Sequence, residues 1–574
     1  MRQRRTGPLI LELDLTDGVA EGPPADPLSA VLTMRRTRLQ DLLDGLRRAA
    51  DDNRVRALVV KVGGSRIGLA RIQELRAAIG DFRRSGKLAV AWAESFGDFV
   101  RGNLPYYLAT GFDRIYLQPS GTLGLTGVAV EQVFLHDALE KLGIGFESAK
   151  RHEYKSAPDQ LTESGFTGPA REAAARLAES VTEQLAGAVA AGRGLSVERV
   201  TALLARGPFL AQQALDAGLI DGLMYRDEVY DQVRREAGPE ATLLYLQRYQ
   251  RQRSLSDLPR RLGSSVQGMT PGQHERFVAT IYAHGTIRHG RSGRGGPGGG
   301  MGSDTVAAAL RAAAADEGAR AVVLRVNSPG GSYTASDVIW REVVRLRAAG
   351  KPVVVSMGDV AASGGYFISA PADVIVAQPG TITGSIGVFM GKPVLRELFG
   401  RAGVATDTVA DGAGADIATM FSSSRPFSEA EWARINEWLD AVYADFTQKV
   451  ADGRRLPVER VHELARGRVW TGADAIANGL ADEAGGLREA IAIARKRAGL
   501  PADAPARSYP RLGPLDQLRP AESSEARPAA RGAVGAGALA ALFADGWGPA
   551  WRFAAAAGLP PHGPLTLPGA WRIR

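Results

Sequence analysis

One half of this chain repeats the other. The stretch 106–128 reads YYLATGFDRIYLQPSGTLGLTGV and the stretch 365–388 reads GYFISAPADVIVAQPGTITGSIGV. Asp113 therefore answers Asp373, Gln118-Pro119 answers Gln378-Pro379, and Gly124 and Gly127 answer Gly384 and Gly387. Upstream, RALVVKV (56–62) matches RAVVLRV (320–326), and Gly86-Lys87 matches Gly350-Lys351. Downstream, SVERVTALLARG (196–207) matches PVERVHELARG (457–467), each followed by an Ala-rich helix ending in Ala-Gly-Leu or Asn-Gly-Leu. A repeat kept in order and spacing over such a span demands a duplicated domain. A chain of 574 residues also suits two cores of roughly 200–250 residues better than one. The copies are expected at 1–230 and 276–505, joined by a polar, basic linker at 231–275 and followed by an Ala/Pro/Gly-rich tail at 506–574.

Within each copy, short β-branched runs alternate with amphipathic helices. In the first, LILELDL (9–15) alternates as a strand, RLQDLLDGLRRAADD (38–52) has helical periodicity, and ALVVKV (57–62) reads as a more buried strand. A helix at 70–85 then leads to LAVAWA (88–93). The second copy runs FVATIYAHG, helix 304–316, AVVLRV, helix 334–349 and PVVVSMG. This alternation predicts an α/β fold with largely parallel strands. The glycine-rich stretch 289–304 is expected as a loop, and it lacks the Gly-Lys-Ser/Thr ending of a nucleotide-binding P-loop.

Composition narrows the functional classes. Hydrophobic content of 45% and charge of 23% are ordinary for a soluble globular protein. The net charge of +8 rests on 61 arginines against nine lysines, scattered among acidic residues on Ala-rich helices. No basic stripe is interleaved with aromatics, so nucleic acid is not an expected partner. The lack of cysteine excludes disulfides, zinc–thiolate sites and thiol catalysis; no metal or cofactor is expected. Residues 1–30 contain no apolar run of signal-peptide or membrane-span length, and GAVGAGALAALFA (532–544) is too short to cross a bilayer. Together with Trp547, Trp551 and Trp571, that tail is a candidate interfacial anchor.

The chemistry lies where the copies differ. VNSPGGS (326–332) leaves a buried strand and enters a helix, and a Pro-Gly-Gly turn there lets bare backbone amides approach a ligand. MGDVAASGGYF (357–367) places Ser363 between Ala361-Ala362 and Gly364-Gly365, a hydroxyl on a turn with room beside it. Alone, such a serine reads as a helix cap; beside a PGGS turn it becomes a candidate nucleophile. A nucleophilic serine needs a base. The chain has seven histidines, and none lies between the Pro-Gly-Gly turn and residue 461. A Ser-His-Asp triad stays open although no histidine has a supporting context, and lysine is the other option if burial disfavours its ammonium form. EYKSAPDQLTESGFT (153–167) holds one in a short extended segment, Lys155. The first-copy counterpart of Ser363 is Asn103, and the second-copy counterpart of Lys155 is Ala415. Each copy thus lacks what the other keeps. Ser385 in TGSIGV faces Leu125 in TLGLTGV, and it is expected to orient the amine.

On VNSPGGS, MGDVAASGGYFIS, TGSIGV and YKSA, the chain resembles the signal peptide peptidase A family in its long, duplicated bacterial form, over about residues 8–500. The resemblance implies a Ser/Lys serine endopeptidase with Ser363 as nucleophile and Lys155 as general base. Ser385 would assist the lysine, and the amides of Gly330 and Gly364 would form the oxyanion hole. It further implies a Clp protease/crotonase-like spiral of ββα units in each copy, and a homotetramer. The implied activity is ATP-independent cleavage of apolar, unfolded peptides such as remnant signal peptides, in a bacterium, with membrane association and peripheral membrane contact. The chain departs from that pattern in lacking an N-terminal anchor, which makes the cytoplasm the alternative location, and in carrying the tail. A crotonase-like thioester enzyme would need a pocket carboxylate and a CoA surface, for which the sequence offers no clear candidates. A non-catalytic scaffold would not explain why Ser363, Lys155 and Ser385 persist in complementary places.

Overall fold

Runs such as Leu88–Ala93 and Val353–Ala362 are apolar at nearly every position, so they form strands that must be covered on both faces, as parallel strands are. The computed structural model describes residues 7–22, 37–63, 67–98, 102–249, 275–292, 300–410, 412 and 414–510, with two short strands at Leu565–Thr566 and Arg572–Ile573. The first copy builds a parallel sheet in the order Gly222–Leu223, Arg114–Leu117, Leu88–Ala93, Val55–Lys61, Leu9–Asp14, Thr242–Tyr245. The second repeats it as Glu483–Ala484, Val374–Ala377, Val353–Ala362, Ala319–Ser328, Phe277–His284, Ala506–Ser508, and adds Ile382–Gly384, which carries Val469–Thr471 antiparallel to it. There the long strand Val353–Ala362 serves two neighbours: its first half pairs with Val374–Ala377 and its far end with Ile382–Gly384. Its far end also pairs, through Ala361, with Ser328, the residue before the Pro-Gly-Gly turn.

Residues kept in both copies prove to be braces. Asp113 and Asp373 each accept a backbone N–H from the neighbouring strand, from Ala89 and Val353, both at 2.8 Å. Tyr106 and Tyr366 donate to the carbonyls of Leu219 and Leu480. Lys87 and Lys351 reach equivalent helix ends, bonding the carbonyls of Ala49, Ala50 and Asp52, and of Ala313 and Asp316. A cation on the last carbonyls of a helix satisfies acceptors the helix itself cannot.

The expected boundaries need correction. Arg226–Ala237 is a helix and Thr242–Tyr245 the outer strand of the first sheet, so the stretch read as a linker begins inside the first unit. Likewise Ala506–Ser508, read as the start of the tail, edges the second sheet. Such two- to four-residue edge strands carry too little pattern to be seen without the sheet they join. Within the expected loop 289–304, Met301–Gly302 is a strand and Ser303–Ala315 a helix. The rest of the linker (250–274) and the stretch 532–544 with Trp547, Trp551 and Trp571 lie outside the described residues.

The copies also share a core. The hydrophobic cluster of the first sheet and its helices continues into Val278, Val323, Val354, Val376 and Leu487 of the second copy. Polar contacts seal this junction. Arg325, fully buried on strand Ala319–Ser328, bonds Glu21 at 2.5 Å and Glu74 at 2.6 Å in the first copy, and Ser356 at 2.8 Å in the adjoining strand. Arg71 pairs with Asp359, and the Gln73 carbonyl oxygen accepts from Gly380 N–H. Burial pushes Glu74 up to about 7, although Arg325 opposes it. Burial also acts on Glu21, but Arg325 and Arg71 outweigh it and hold that carboxyl below the usual range. Removing the guanidinium would strand two buried carboxylates. Arg325→Ala is expected to cost about 3–5 kcal/mol, read as a lower urea midpoint; an unchanged midpoint would show that the junction is not held by this cluster.

Candidate active site

One ribbon carries the lysine across the molecule. The first-copy strand Gly145–Arg151 runs antiparallel to Val388–Val394 of the second copy, residue for residue from Gly145–Val394 to Arg151–Val388. Four residues beyond its end lies Lys155. The loop is clamped by the second copy's turn at 465–468: Tyr154 N–H donates to the Arg466 carbonyl, Arg466 pairs with Glu153, and the Arg468 guanidinium lies over the Tyr154 ring. Gly467, at φ 84°, passes so close that a Cβ would come 2.4 Å from the Lys155 backbone nitrogen. Only glycine fits there. His152 meets His462 edge to face at 4.9 Å, and His462 Nδ1 lies 3.0 Å from the Tyr443 hydroxyl.

Ser363 caps the long strand Val353–Ala362 and starts the helix Gly364–Ser369. Its backbone sits at φ 55°, ψ −116°, a strained setting for a residue with a Cβ. The strain is held by its N–H bonding Gly384 O at 2.8 Å and its carbonyl accepting Phe367 N–H at 2.8 Å. Ser385, also at positive φ, is pinned by its N–H to Arg468 O at 2.7 Å. These constraints bring three side chains together. Lys155 Nζ lies 2.8 Å from Ser363 Oγ, 3.1 Å from Ser385 Oγ and 3.0 Å from the Ser385 carbonyl oxygen. All three residues are fully buried. The amine's neighbours are neutral oxygens, and burial drives Lys155 well below the ordinary lysine range. Desolvation penalises the ammonium with no counter-charge to repay it. Such an amine holds a free lone pair, and it can donate two N–H bonds to Ser385 while facing the Ser363 hydroxyl.

The two glycines meet beside it. A Cβ on Gly364 would come 3.1 Å from both Gly330 Cα and Gly331 N, so bare main chain lies against bare main chain. As the first helical residue, Gly364 has no intrahelical acceptor for its N–H. The Gly330 N–H is engaged, donating to Ser328 Oγ at 3.1 Å. Ser328 escaped the sequence reading, as did Gly467; the recurrence of Ala-Arg-Gly in both copies was the available signal for the latter. Along the turn, Leu565–Thr566 runs antiparallel to Gly330–Gly331.

The equivalent place in the first copy holds packing instead. Asn103 Oδ1 accepts Thr126 N–H at 2.9 Å, and Leu125 is buried in the core. Ala415 lies in a single 3-10 turn, Ala415–Ile417.

A model of peptidase family S49 matches residues 81–239 and 345–501, one match in each copy. The chloroplastic serine protease SPPA of Arabidopsis thaliana is 31% identical over 467 residues, covering 81% of this chain and 66% of that protein. Protease 4 of Salmonella typhi is 34% identical over 479 residues, covering 81% and 73%. Protease 4 of Haemophilus influenzae is 31% identical over 476 residues, covering 80% and 72%. Among solved structures, a mutant ClpP1 from Listeria monocytogenes superposes with TM-score 0.24 at 14% identity, covering 37% of this chain and 94% of that one.

The buried amine has a cost that can be measured. Unfolded, the lysine binds a proton up to about pH 10.4; folded, it gives that proton up at lower pH, so the unfolded state binds more protons and stability rises with pH. Lys155→Met is therefore expected to be more stable than the parent at pH 7, with the gap closing toward pH 10. A constant gap between pH 7 and 10 would mean that the amine is charged in the fold.

Proposed function

The chain belongs to peptidase family S49 and is a serine peptidase, and we propose that Ser363 and Lys155 form its catalytic dyad. The observation that carries this is the 2.8 Å approach of a buried amine, whose ammonium form burial disfavours, to a hydroxyl on a strained turn. Lys155 Nζ takes the Ser363 proton as Oγ attacks the scissile carbonyl carbon. The developing oxyanion is met by Gly364 N–H and by Gly330 N–H, which turns from Ser328 Oγ to reach it. The lysinium then protonates the leaving amine, and the acyl-enzyme remains on Ser363. Water enters, gives a proton to Lys155 as its oxygen attacks the acyl carbon, and the lysinium returns that proton to Ser363 Oγ as the C–Oγ bond breaks and the acid leaves. Ser385 holds the amine through its hydroxyl and carbonyl, so that its lone pair stays aimed at Oγ.

The substrate in this reading is an extended peptide. Gly330–Gly331 accepts the chain's own Leu565–Thr566 as an antiparallel strand, which is how an extended substrate would lie beside the site. Ser363 is fully buried, so a folded surface cannot reach it. Apolar, unfolded peptides such as remnant signal peptides fit these limits, and a substrate already unfolded requires no ATP to open it. The assembly is proposed to be a homotetramer that meets the membrane peripherally. Among the described residues, no helix is long and apolar enough to cross a bilayer.

Ser363→Ala is expected to reduce cleavage of an unfolded apolar reporter peptide to background, and Lys155→Ala to slow it by about 10²–10⁴-fold, with unfolding transitions retained. A fluorophosphonate should label Ser363. The rate should rise with pH as the lysine loses its proton, and that limb should vanish in Lys155→Ala. Full activity in Lys155→Ala would refute the dyad.

A further inference from the structure

The turn that closes over the lysine loop carries a residue the first copy lacks. Eleven positions lead from Gly207 to Gly218, and twelve lead from the matching Gly467 to Gly479. Strand pairing locates the extra one. Phe209 lies opposite Leu123 and Trp470 opposite Thr383. Leu123 and Thr383 each precede the matching glycines Gly124 and Gly384, so Phe209 answers Trp470 and Pro208 answers Val469. Arg468 is left without a counterpart.

This residue is held at both ends. Its carbonyl oxygen accepts the Ser385 N–H at 2.7 Å. Its guanidinium lies between two aromatic rings, 5.0 Å from the centre of Tyr154 and 4.6 Å from that of Trp470, and it pairs with Glu172 at 2.9 Å. Glu172 also accepts from the Tyr154 hydroxyl at 2.8 Å, so ring, guanidinium and carboxylate close a triangle beside Lys155. The rest of the triangle is confined to this place as well. Tyr154 answers Gly414, next to Ala415. The helices Gly168–Arg193 and Glu429–Arg454 have equal length and align end to end, which sets Glu172 against Ala433. Stability does not account for the cluster. Glu172 is 55% exposed, so the ion pair contributes little, and Arg468 Nε is buried with no hydrogen-bond partner among the described residues. What the guanidinium keeps is its place between the rings.

We infer that Arg468 is a positioning residue for the proposed dyad. Its side chain, with Tyr154 and Glu172, holds the Lys155 loop, while its carbonyl holds Ser385, so that the amine and the hydroxyl that orients it are tied to one residue. Gly467 limits how closely the loop can approach; the Arg468 clamp limits how far it can drift. The inference rests on the dyad reading and adds to it the part that keeps base and orienting hydroxyl in register.

The test uses the full chain, an unfolded apolar reporter peptide and a fluorophosphonate. Arg468→Ala and Tyr154→Leu should each lower kcat by about 10–100-fold with KM little changed, as expected when a reacting group is displaced by about 1 Å. The pH limb of Ser363 labelling should move to higher pH in both, because a loosened amine regains water and with it the ammonium form. Tyr154→Leu alters no charge near neutral pH, so its shift cannot come from removing the Arg468 cation. Tyr154→Phe keeps the ring and should retain most of the activity that Tyr154→Leu loses. The double variant Arg468→Ala/Tyr154→Leu should be no slower than the slower single variant; losses that multiply would overturn the inference. A parental kcat in both single variants would overturn it too. So would a fall in kcat that only follows the folded fraction, read from thermal unfolding, with the limb unmoved. A parent that is not labelled at Ser363 would instead remove the dyad itself, and this inference with it.

Discussion

The antiparallel ribbon between Gly145–Arg151 and Val388–Val394 is the contact on which the rest of the molecule turns. Without it the Lys155 loop would have no reason to lie against the other copy. With it, the turn at 465–468 closes over the loop, Gly467 admits its backbone, and the amine is left among three neutral oxygens. Main-chain hydrogen bonds in fixed register therefore set a side-chain distance of 2.8 Å between residues 208 positions apart. Placing the proposed dyad by strand pairing would suit a chemistry that tolerates little displacement.

What each copy has kept or lost follows from what each feature costs. Asp113 and Asp373, Tyr106 and Tyr366, and Lys87 and Lys351 are retained in both because each satisfies backbone groups that its own sheet and helices leave open. A serine at positive φ and a fully buried lysine are liabilities to a fold. They persist in one copy each. Asn103 and Leu125, in the corresponding places of the first copy, have gone over to hydrogen bonding a loop amide and filling the core.

The junction between copies explains how a site shared between two domains stays in register. Arg325 lies on the strand that ends in the Pro-Gly-Gly turn, bonds Ser356 on the strand that ends in Ser363, and grips Glu21 and Glu74 of the copy that supplies Lys155. A guanidinium with its donors spread over three elements resists their sliding past one another. The hydrophobic cluster that crosses the same boundary makes the two copies one folding unit in this region.

Much of this was legible beforehand, for a physical reason. Parallel strands buried on both faces leave long apolar runs, so LAVAWA and AVVLRV announced the sheets, and the duplication announced two of them. The complementary losses at Asn103, Ala415 and Leu125 pointed to Ser363, Lys155 and Ser385 as members of one site, and both hydroxyls do lie within 3.1 Å of the amine. Thr242–Tyr245 and Ala506–Ser508 were not legible, because a short edge strand takes its identity from the strand beside it. Nor were Ser328 and Gly467, whose positions matter only through what they touch. By itself the sequence determined the two-copy α/β plan and pointed to the side chains that the structure brings together, since both are written in local pattern and in comparison of the halves. Only the tertiary structure decided that the amine is buried where its ammonium form is disfavoured, and that Gly330 N–H faces Ser328. Those depend on desolvation and on hydrogen-bond partners hundreds of residues away, and neither has a local signature.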